Sequence, residues 1–131
     1  VLGGIVFSDP KHLERLNAIM HPRIFDMIWE RIVALKETGT KITVVEAALL
    51  IEANWTALAT EVWVITSPET DVVKRLLSRN NMTKEKIHER INSQLTQEKR
   101  AAHADTTIVN DGDLRQLQQR VEDIWHQRVP A

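Results

Sequence analysis

The 131-residue sequence contains no cysteine. The chain can therefore form neither a disulfide nor a thiolate metal site, which is consistent with a reducing compartment, and we expect a cytoplasmic or organellar protein. It also lacks an excess of either charge, because 17 Lys and Arg face 18 Asp and Glu, for a formal net charge of -1. No molecule-wide basic field exists to hold duplex DNA or an acidic membrane, so any anion site must be local.

No hydrophobic run is long enough to span a membrane. The longest, residues 44–55, is interrupted by Glu46 and Glu52 and falls short of the roughly 20 residues a transmembrane helix needs. Residues 1–7 have no initiator Met and no basic segment, so they do not resemble a signal peptide, and we expect a piece of a longer protein. A GxxxxGK[ST] sequence is also missing, so the chain carries no phosphate-binding loop to cradle a triphosphate.

Hydrophobic spacing predicts alternating strands and helices. Residues 41–46, 61–66 and 106–109 are rich in β-branched side chains and too short for helices, so we predict three strands. Helix starts are predicted at Asp9-Pro10, after His21-Pro22, at Ser67-Pro68, at Thr83, at Thr96 and at Asp113, the last with Gln116 in a capping box. Strands followed by helices pair in parallel, so the predicted fold class is α/β, a parallel sheet with flanking helices.

In open parallel sheets, ligands bind beyond the carboxyl ends of the strands. Glu46 and Glu52 lie at or beyond the first of these ends, in apolar surroundings. Each could order Mg²⁺ or accept a proton or hydrogen bond from a substrate; the alternative is a buried acid satisfied by backbone amides or by an arginine. Asn110 follows the third strand in a sequence typical of turns, and that position makes it a candidate for contacting a purine ring.

Basic side chains are concentrated between residues 74 and 100. This basic segment contains Lys74, Arg75, Arg79, Lys84, Lys86, Arg90, Lys99 and Arg100. Arg75 and Arg79 share a helix face, where two guanidinium groups could grip a polyphosphate; the alternative is a solvated face. Residues from about 79 to 103 are polar and lie between two predicted strands, as a helical lid would. Binding of single-stranded nucleic acid is a weaker alternative, because the basic segment has no aromatic side chain.

Histidine and tryptophan supply the remaining candidates. His21 before Pro22 either places an imidazole beside a substrate or serves only as a cap or turn element at a helix start. The histidines have neither HxxxH nor HExxH spacing, so we expect no metal site built on them. The four tryptophans, Trp29, Trp55, Trp63 and Trp125, follow apolar stripes or strands, which predicts positions in a core or a pocket wall.

Residues 44–55, VVEAALLIEANW, together with residues 16–22, LNAIMHP, resemble dephospho-coenzyme A kinases. The later part agrees with that family in order and approximate spacing through Arg75, Arg79, Thr83, Glu85, Arg90, Gln94, Arg100, Ala104-Asp105, Ile108, Asn110 and Gly112. The form EAALLIEANW and the VLG start are most similar to the kinase domain of eukaryotic bifunctional coenzyme A synthase. The resemblance covers essentially the whole chain, but only the carboxyl-terminal two-thirds of the family's domain.

The resemblance implies a three-layer P-loop kinase fold, truncated at its N-terminus, with a helical lid at about residues 79–103. It implies transfer of the γ-phosphoryl group of ATP, with Mg²⁺, to the 3′-hydroxyl of dephospho-coenzyme A. It places Arg75, Arg79, Arg90, Arg100 and Asn110 on the nucleotide side, with Arg79 foremost at the phosphates or the adenine, and His21, Pro22, Glu46, Leu50 and Glu52 on the acceptor side.

The family's phosphate-binding loop and its catalytic Asp would precede Val1, and Glu46 stands where an Asp is usual. The resemblance therefore predicts a kinase as the parent protein and no turnover by this chain alone. It also suggests a fused phosphopantetheine adenylyltransferase domain and an association with mitochondria. A non-catalytic α/β module, whose basic segment and tryptophans bind a protein partner, stays open as the alternative.

Overall fold

The computed structural model describes residues 9–79, 83–92 and 94–129, except for the side chain of Arg79. The chain divides into two compact units, Val1–Thr60 and Glu61–Ala131. Within the described residues, no helix combines the length and the apolar character that crossing a bilayer requires.

The first unit is built on one long helix, α1, Pro10–Glu37. Asp9 caps its start, since the carboxylate accepts a hydrogen bond from the Lys11 N–H at 2.9 Å. Pro10 occupies the first helical position, where a missing N–H leaves no bond unmade. Gly39 follows the last turn with a φ of +81°, the left-handed conformation in which glycine commonly ends a helix.

The predicted break at His21-Pro22 is wrong, because α1 runs through both residues. An interior proline removes one backbone hydrogen bond and disfavours the turn before it. Here the half-buried positions on both sides of the proline, such as Leu13, Ile24 and Ile28, keep one helical phase. Continuing the helix therefore keeps these side chains on one face, and that packing outweighs the local cost of the proline.

Residues 41–46, predicted to be a strand, form no regular secondary structure. Val44 in the middle of the segment is 75% exposed. Side chains of this type favour a strand only where a neighbouring strand supplies hydrogen bonds and a surface to pack on. The described part of the first unit contains no second strand, so the prediction of a strand here is wrong.

The core of the first unit lies where a short 3₁₀ helix, Thr56–Leu58, packs on α1. Trp55 and Leu58 are both buried. The Trp55 N–H donates to the Leu50 carbonyl at 2.8 Å, which closes the turn before it. Of the four tryptophans predicted in a core or a pocket wall, Trp55 therefore lies in the core, whereas Trp29 is 50% exposed on α1 and lies outside it.

The second unit contains a parallel pair of strands, β1 (Trp63–Thr66) and β2 (Thr106–Val109). The register joins the strands residue for residue from first to last, so both end at the same level. Val64 and Ile108 are buried at the centre of the pair. The predicted α/β class, with a parallel sheet and flanking helices, is confirmed.

Asp105 holds the amino ends of the two strands together. Its carboxylate accepts a hydrogen bond from the Val62 N–H at 2.7 Å, and its own N–H donates to the Val62 carbonyl at 2.9 Å. This reciprocal pair aligns the strands just before they begin. Asp105, which contributes to the resemblance, therefore has a structural role.

The second unit also contains the helices α2 (Glu69–Arg79), α3 (Lys84–Asn92), α4 (Gln97–Ala101) and α5 (Leu114–Arg128). Hydroxyls of Thr83 and Thr96 accept backbone N–H groups at the starts of α3 and α4, at 3.4 and 3.3 Å. The capping box of Asp113 and Gln116 is present at the start of α5, as predicted. The Ser67 hydroxyl, however, accepts no backbone N–H of α2 in the described residues; it accepts from the Arg75 guanidinium and donates to the Asn110 carbonyl, so the predicted cap is not formed.

The helix α3 packs against α2. Its Ile87 is fully buried, more completely than any other side chain in the described part of the chain. The surrounding sequence is polar, which is typical of a lid. The buried Ile87 therefore fixes α3 to the rest of the second unit.

Candidate functional site

The carboxyl ends of β1 and β2 meet in a polar cluster. Ser67 follows β1 and Asn110 follows β2, and the Ser67 hydroxyl donates to the Asn110 carbonyl at 2.5 Å. The Asn110 N–H donates to the Thr66 carbonyl at 2.7 Å, which continues the strand pairing beyond the last bridge. Sequence reasoning predicted that ligands bind at these two strand ends, and the parallel register brings the two ends together.

Arg75 reaches the same cluster from α2. Its guanidinium donates to the Ser67 hydroxyl at 3.1 Å and to the carbonyl and side-chain oxygens of Asn110 at 3.2 Å each. A guanidinium only donates, so the edge of the Asn110 amide that faces Arg75 must be the oxygen. The two N–H groups of Asn110 Nδ2 then point away from Arg75 and have no hydrogen-bond partner in the described part of the chain. Asn110 can therefore donate to an acceptor such as a purine nitrogen.

Gln97 completes the cluster from α4 through two hydrogen bonds to Ser67. Gln97 was not identified as a functional candidate from the sequence, and Ser67 was identified only as a helix cap at a strand end where ligands were expected. No local pattern marks them: a glutamine in the first turn of a helix is common, and Ser67 has the composition of a cap. Only the contact between segments 30 residues apart gives them a shared role.

The predicted lid arginines occupy different positions. Arg100 on α4 is partly buried, and its Nε atom is shielded from solvent without a hydrogen-bond partner in the described residues. Arg90 lies exposed in the last turn of α3. Arg79 ends α2, and its side chain lies outside the described part. A partly buried donor without a partner is costly, and an anionic ligand would relieve that cost.

Asp111 and Arg120 fix the loop after β2. Arg120 donates from one nitrogen to the Asp111 carboxylate at 2.7 Å and also to the Val109 carbonyl. The hydrogen bond from Arg120 lowers the pKa of Asp111, and the positive charge of Arg120 acts in the same direction. The loop that carries Asn110 is thus tied to α5.

Asp111→Asn is expected to remove a pH-dependent part of the stability. The pKa of Asp111 is lower in the folded state than in the unfolded state, where it is about 4. The ionised carboxylate therefore stabilises the folded protein above about pH 4, and this stabilisation is lost as the pH falls through the lowered pKa of the folded state. Urea-unfolding midpoints measured from pH 6 to pH 2 should fall less steeply for Asp111→Asn than for the unsubstituted protein. Identical slopes would contradict the assignment.

In the first unit, the structure brings two of the predicted acceptor-side residues, His21 and Leu50, into contact with Trp55. The His21 ring meets the Trp55 indole edge to face, with centroids 5.4 Å apart. Leu50 is half-buried, and its carbonyl accepts a hydrogen bond from the backbone N–H of Trp55. Pro22 is exposed beside His21 on α1. Since His21 lies inside a helix, the interpretation as a cap or turn element is wrong.

Glu46 and Glu52 are both exposed. Neither makes a hydrogen bond or ion pair in the described residues, so the alternative of a buried, satisfied acid is wrong for both. Across the described ranges, no three His, Asp or Glu side chains are grouped so that they could hold a metal ion.

Comparison with known proteins decides the family. The family model described as "Dephospho-CoA kinase" matches residues 1–116. The chain belongs to the dephospho-CoA kinase family. The matched range includes the polar cluster and the aromatic contact.

Individual dephospho-CoA kinases agree with this assignment. The chain is 36% identical over 129 residues to the dephospho-CoA kinase of Geobacter sulfurreducens. The alignment covers 98% of this chain and 66% of that relative. The same identity and length hold for the enzyme of Dehalococcoides mccartyi, with 98% and 65% covered. The enzyme of Listeria innocua is 39% identical over 121 residues, with 92% and 60% covered. The chain thus spans somewhat less than two-thirds of the length of these relatives.

Two solved structures share the fold. The crystal structure of TT1252 from Thermus thermophilus matches with a TM-score of 0.72 at 24% identity, over 98% of this chain and 66% of that one. A dephospho-CoA kinase from Campylobacter jejuni matches with a TM-score of 0.67 at 27% identity, over 96% and 62%. Similarity to the eukaryotic bifunctional enzyme and fusion to an adenylyltransferase domain stay predictions.

Proposed function

We propose that the protein containing this chain transfers the γ-phosphoryl group of ATP to the 3′-hydroxyl of dephospho-CoA. The observation that carries this proposal is the family match over residues 1–116. In the reaction, the hydroxyl oxygen attacks the γ-phosphorus, the bond to the β–γ bridging oxygen breaks, and the hydroxyl proton passes to a general base. The products are ADP and CoA.

The nucleotide is proposed to bind at the polar cluster of the second unit. Asn110 supplies Nδ2 donors for the base, and Arg75 holds its amide in that orientation. Arg100 supplies a partly buried guanidinium for the phosphates, and Arg79 and Arg90 are proposed to add charge from the ends of α2 and α3. Such fixed positive charge stabilises the charge that spreads over the transferred group. Mg²⁺ is proposed to accompany ATP, and no residue of this chain is assigned as its ligand.

The acceptor is proposed to bind at the first unit. The half-buried His21 imidazole, held against the buried Trp55 ring, is available beside the exposed Pro22 and the half-buried Leu50. The exposed carboxylates of Glu46 and Glu52 have no partners in the described residues and can accept hydrogen bonds from hydroxyl groups of the acceptor.

The test is a kinase assay of the protein that contains this chain. With ATP, Mg²⁺ and dephospho-CoA, we expect release of ADP and formation of CoA, identified by the added mass of one phosphate group. CoA itself is the matched control, since its 3′-position already carries a phosphate, and it should release no ADP. Equal ADP release with both compounds would show simple ATP hydrolysis. No ADP with dephospho-CoA would return the chain to the interaction-module interpretation.

A further inference from the structure

The side chain of Gln97 fastens α4 to the end of β1. The Ser67 N–H donates to Gln97 Oε1 at 2.8 Å, and Gln97 Nε2 donates to the Ser67 carbonyl at 2.7 Å. One carboxamide thus satisfies both backbone groups of Ser67, as a neighbouring strand would. Both bonds are partly buried, so breaking them would leave backbone groups without partners in a region of restricted water access.

Ser67 passes this restraint on to the second strand. Its hydroxyl donates to the Asn110 carbonyl and accepts from Arg75. The backbone N–H, the carbonyl and the hydroxyl of Ser67 are therefore all engaged. Gln97 consequently restrains three segments at once: α4, the end of β1 and the end of β2.

The helix α4 depends on such restraints. It contains only the five residues Gln97–Ala101, too few for a helix that is stable by itself. Gln97 and Arg100 are three residues apart and so lie on one side of the helix. Anchoring Gln97 to Ser67 therefore determines where the partly buried Arg100 guanidinium lies.

We propose that Gln97 is a positioning residue, which holds Arg100 and Asn110 in the arrangement that receives ATP. This inference rests on the proposed kinase function. It predicts a selective effect, because the acceptor-side residues belong to the other unit of the chain.

Gln97→Met is the first test variant, since methionine keeps the length and approximate volume of glutamine but neither of its hydrogen bonds to Ser67. We expect KM for ATP to rise about 10-fold, the effect of losing two partly buried hydrogen bonds, with KM for dephospho-CoA unchanged within about twofold. Gln118→Met is the matched control, because that glutamine makes only an exposed bond on α5. A parallel rise of both KM values would show a merely structural role and would overturn the proposal.

Gln97→Glu is the second variant and adds a pH signature. The carboxylate can still accept the Ser67 N–H, but it cannot donate to the Ser67 carbonyl until it is protonated. The affinity for a fluorescent ATP analogue, relative to the unsubstituted protein, should therefore be low at pH 8 and recover as the pH falls through the carboxyl pKa, ordinarily about 4.3. An affinity ratio that does not change with pH would contradict the proposal.

Amide hydrogen exchange gives a readout that does not depend on activity. In Gln97→Met, the Ser67 N–H should exchange about 10-fold faster than in the unsubstituted protein, with exchange in α5 unchanged. Unchanged exchange at Ser67 would overturn the inference while leaving the kinase proposal intact. Faster exchange at Ser67 in a protein that releases no ADP would instead overturn the proposed function, and with it the positioning role in the reaction.

Discussion

Arg100→Ala is expected to lower kcat/KM for ATP by about 10- to 1,000-fold, without lowering the free energy of unfolding. The Arg100 guanidinium is partly buried, and its Nε donor has no hydrogen-bond partner in the described part of the chain. Such a group stabilises the folded protein little, because its desolvation is not compensated. It does provide fixed positive charge, which is most effective where the phosphoryl group carries its developing charge. Loss of activity and preserved stability should therefore occur together.

Initial rates at varied ATP, together with urea unfolding, measure both quantities. Arg115→Ala is the matched control, because Arg115 is exposed on α5 and makes no hydrogen bond or ion pair in the described residues. A kcat/KM for Arg100→Ala equal to that of the control would assign Arg100 to a solvated helix face. A large loss of stability would show instead that Arg100 supports the fold.

Initial rates at varied ATP also test Arg79, the last residue of α2. Arg75, one turn earlier, already donates to Ser67 and Asn110. The Arg75 guanidinium is thus already hydrogen-bonded within the cluster. For both arginines to bind a polyphosphate together, as predicted, Arg75 would first have to break these hydrogen bonds. Arg79→Ala is expected to lower turnover or ATP affinity by about 10- to 1,000-fold.

Ile87→Ala is expected to lower the free energy of unfolding by about 2–5 kcal/mol. Ile87 is fully buried in a unit whose other buried hydrophobic side chains in the described part are Val64 and Ile108. Removing three carbon atoms from so small a core loses their burial and leaves a cavity that few neighbours can fill. Because α3 packs on α2 near the proposed nucleotide site, nucleotide affinity should fall as well.

Chemical unfolding of the protein by urea checks this prediction. Leu114→Ala is the matched control, since Leu114 is 79% exposed and its truncation should change the free energy by less than about 0.5 kcal/mol. Ile87→Val should fall between the two, at about 0.5–1.5 kcal/mol. If Ile87→Ala proved as stable as the control, Ile87 could not be the residue that fixes α3.

Local signals predicted the elements of the second unit well. The strand at residues 106–109 has the bounds that were predicted, and the capping box of Asp113 and Gln116 is formed. The cap succeeds because it depends on neighbours within a few residues, and the β-branched run succeeds because β1 is available to pair with it. The same rules failed at residues 41–46 and at Pro22, where pairing and packing partners decide whether a strand forms or a helix continues.

The candidate site divides in the same way. The sequence indicated Asn110 from its place after a strand, and the arginines from their density. It did not indicate Gln97, nor the hydrogen bonds that Ser67 makes at its strand end, because contacts between residues 30 and 43 positions apart leave no local pattern. Nor did it show that Arg75 is bonded to Asn110 rather than open to a ligand.

By itself, the sequence determined the family, the parallel α/β class and the side-chain types available for binding, because residue order and hydrophobic period are properties of the chain alone. The tertiary structure alone decided which guanidinium is engaged and which is left without a partner, and which glutamine anchors α4. The physical reason is that a hydrogen bond requires donor and acceptor to meet within about 3 Å, and only the folded register of β1 and β2 produces that distance.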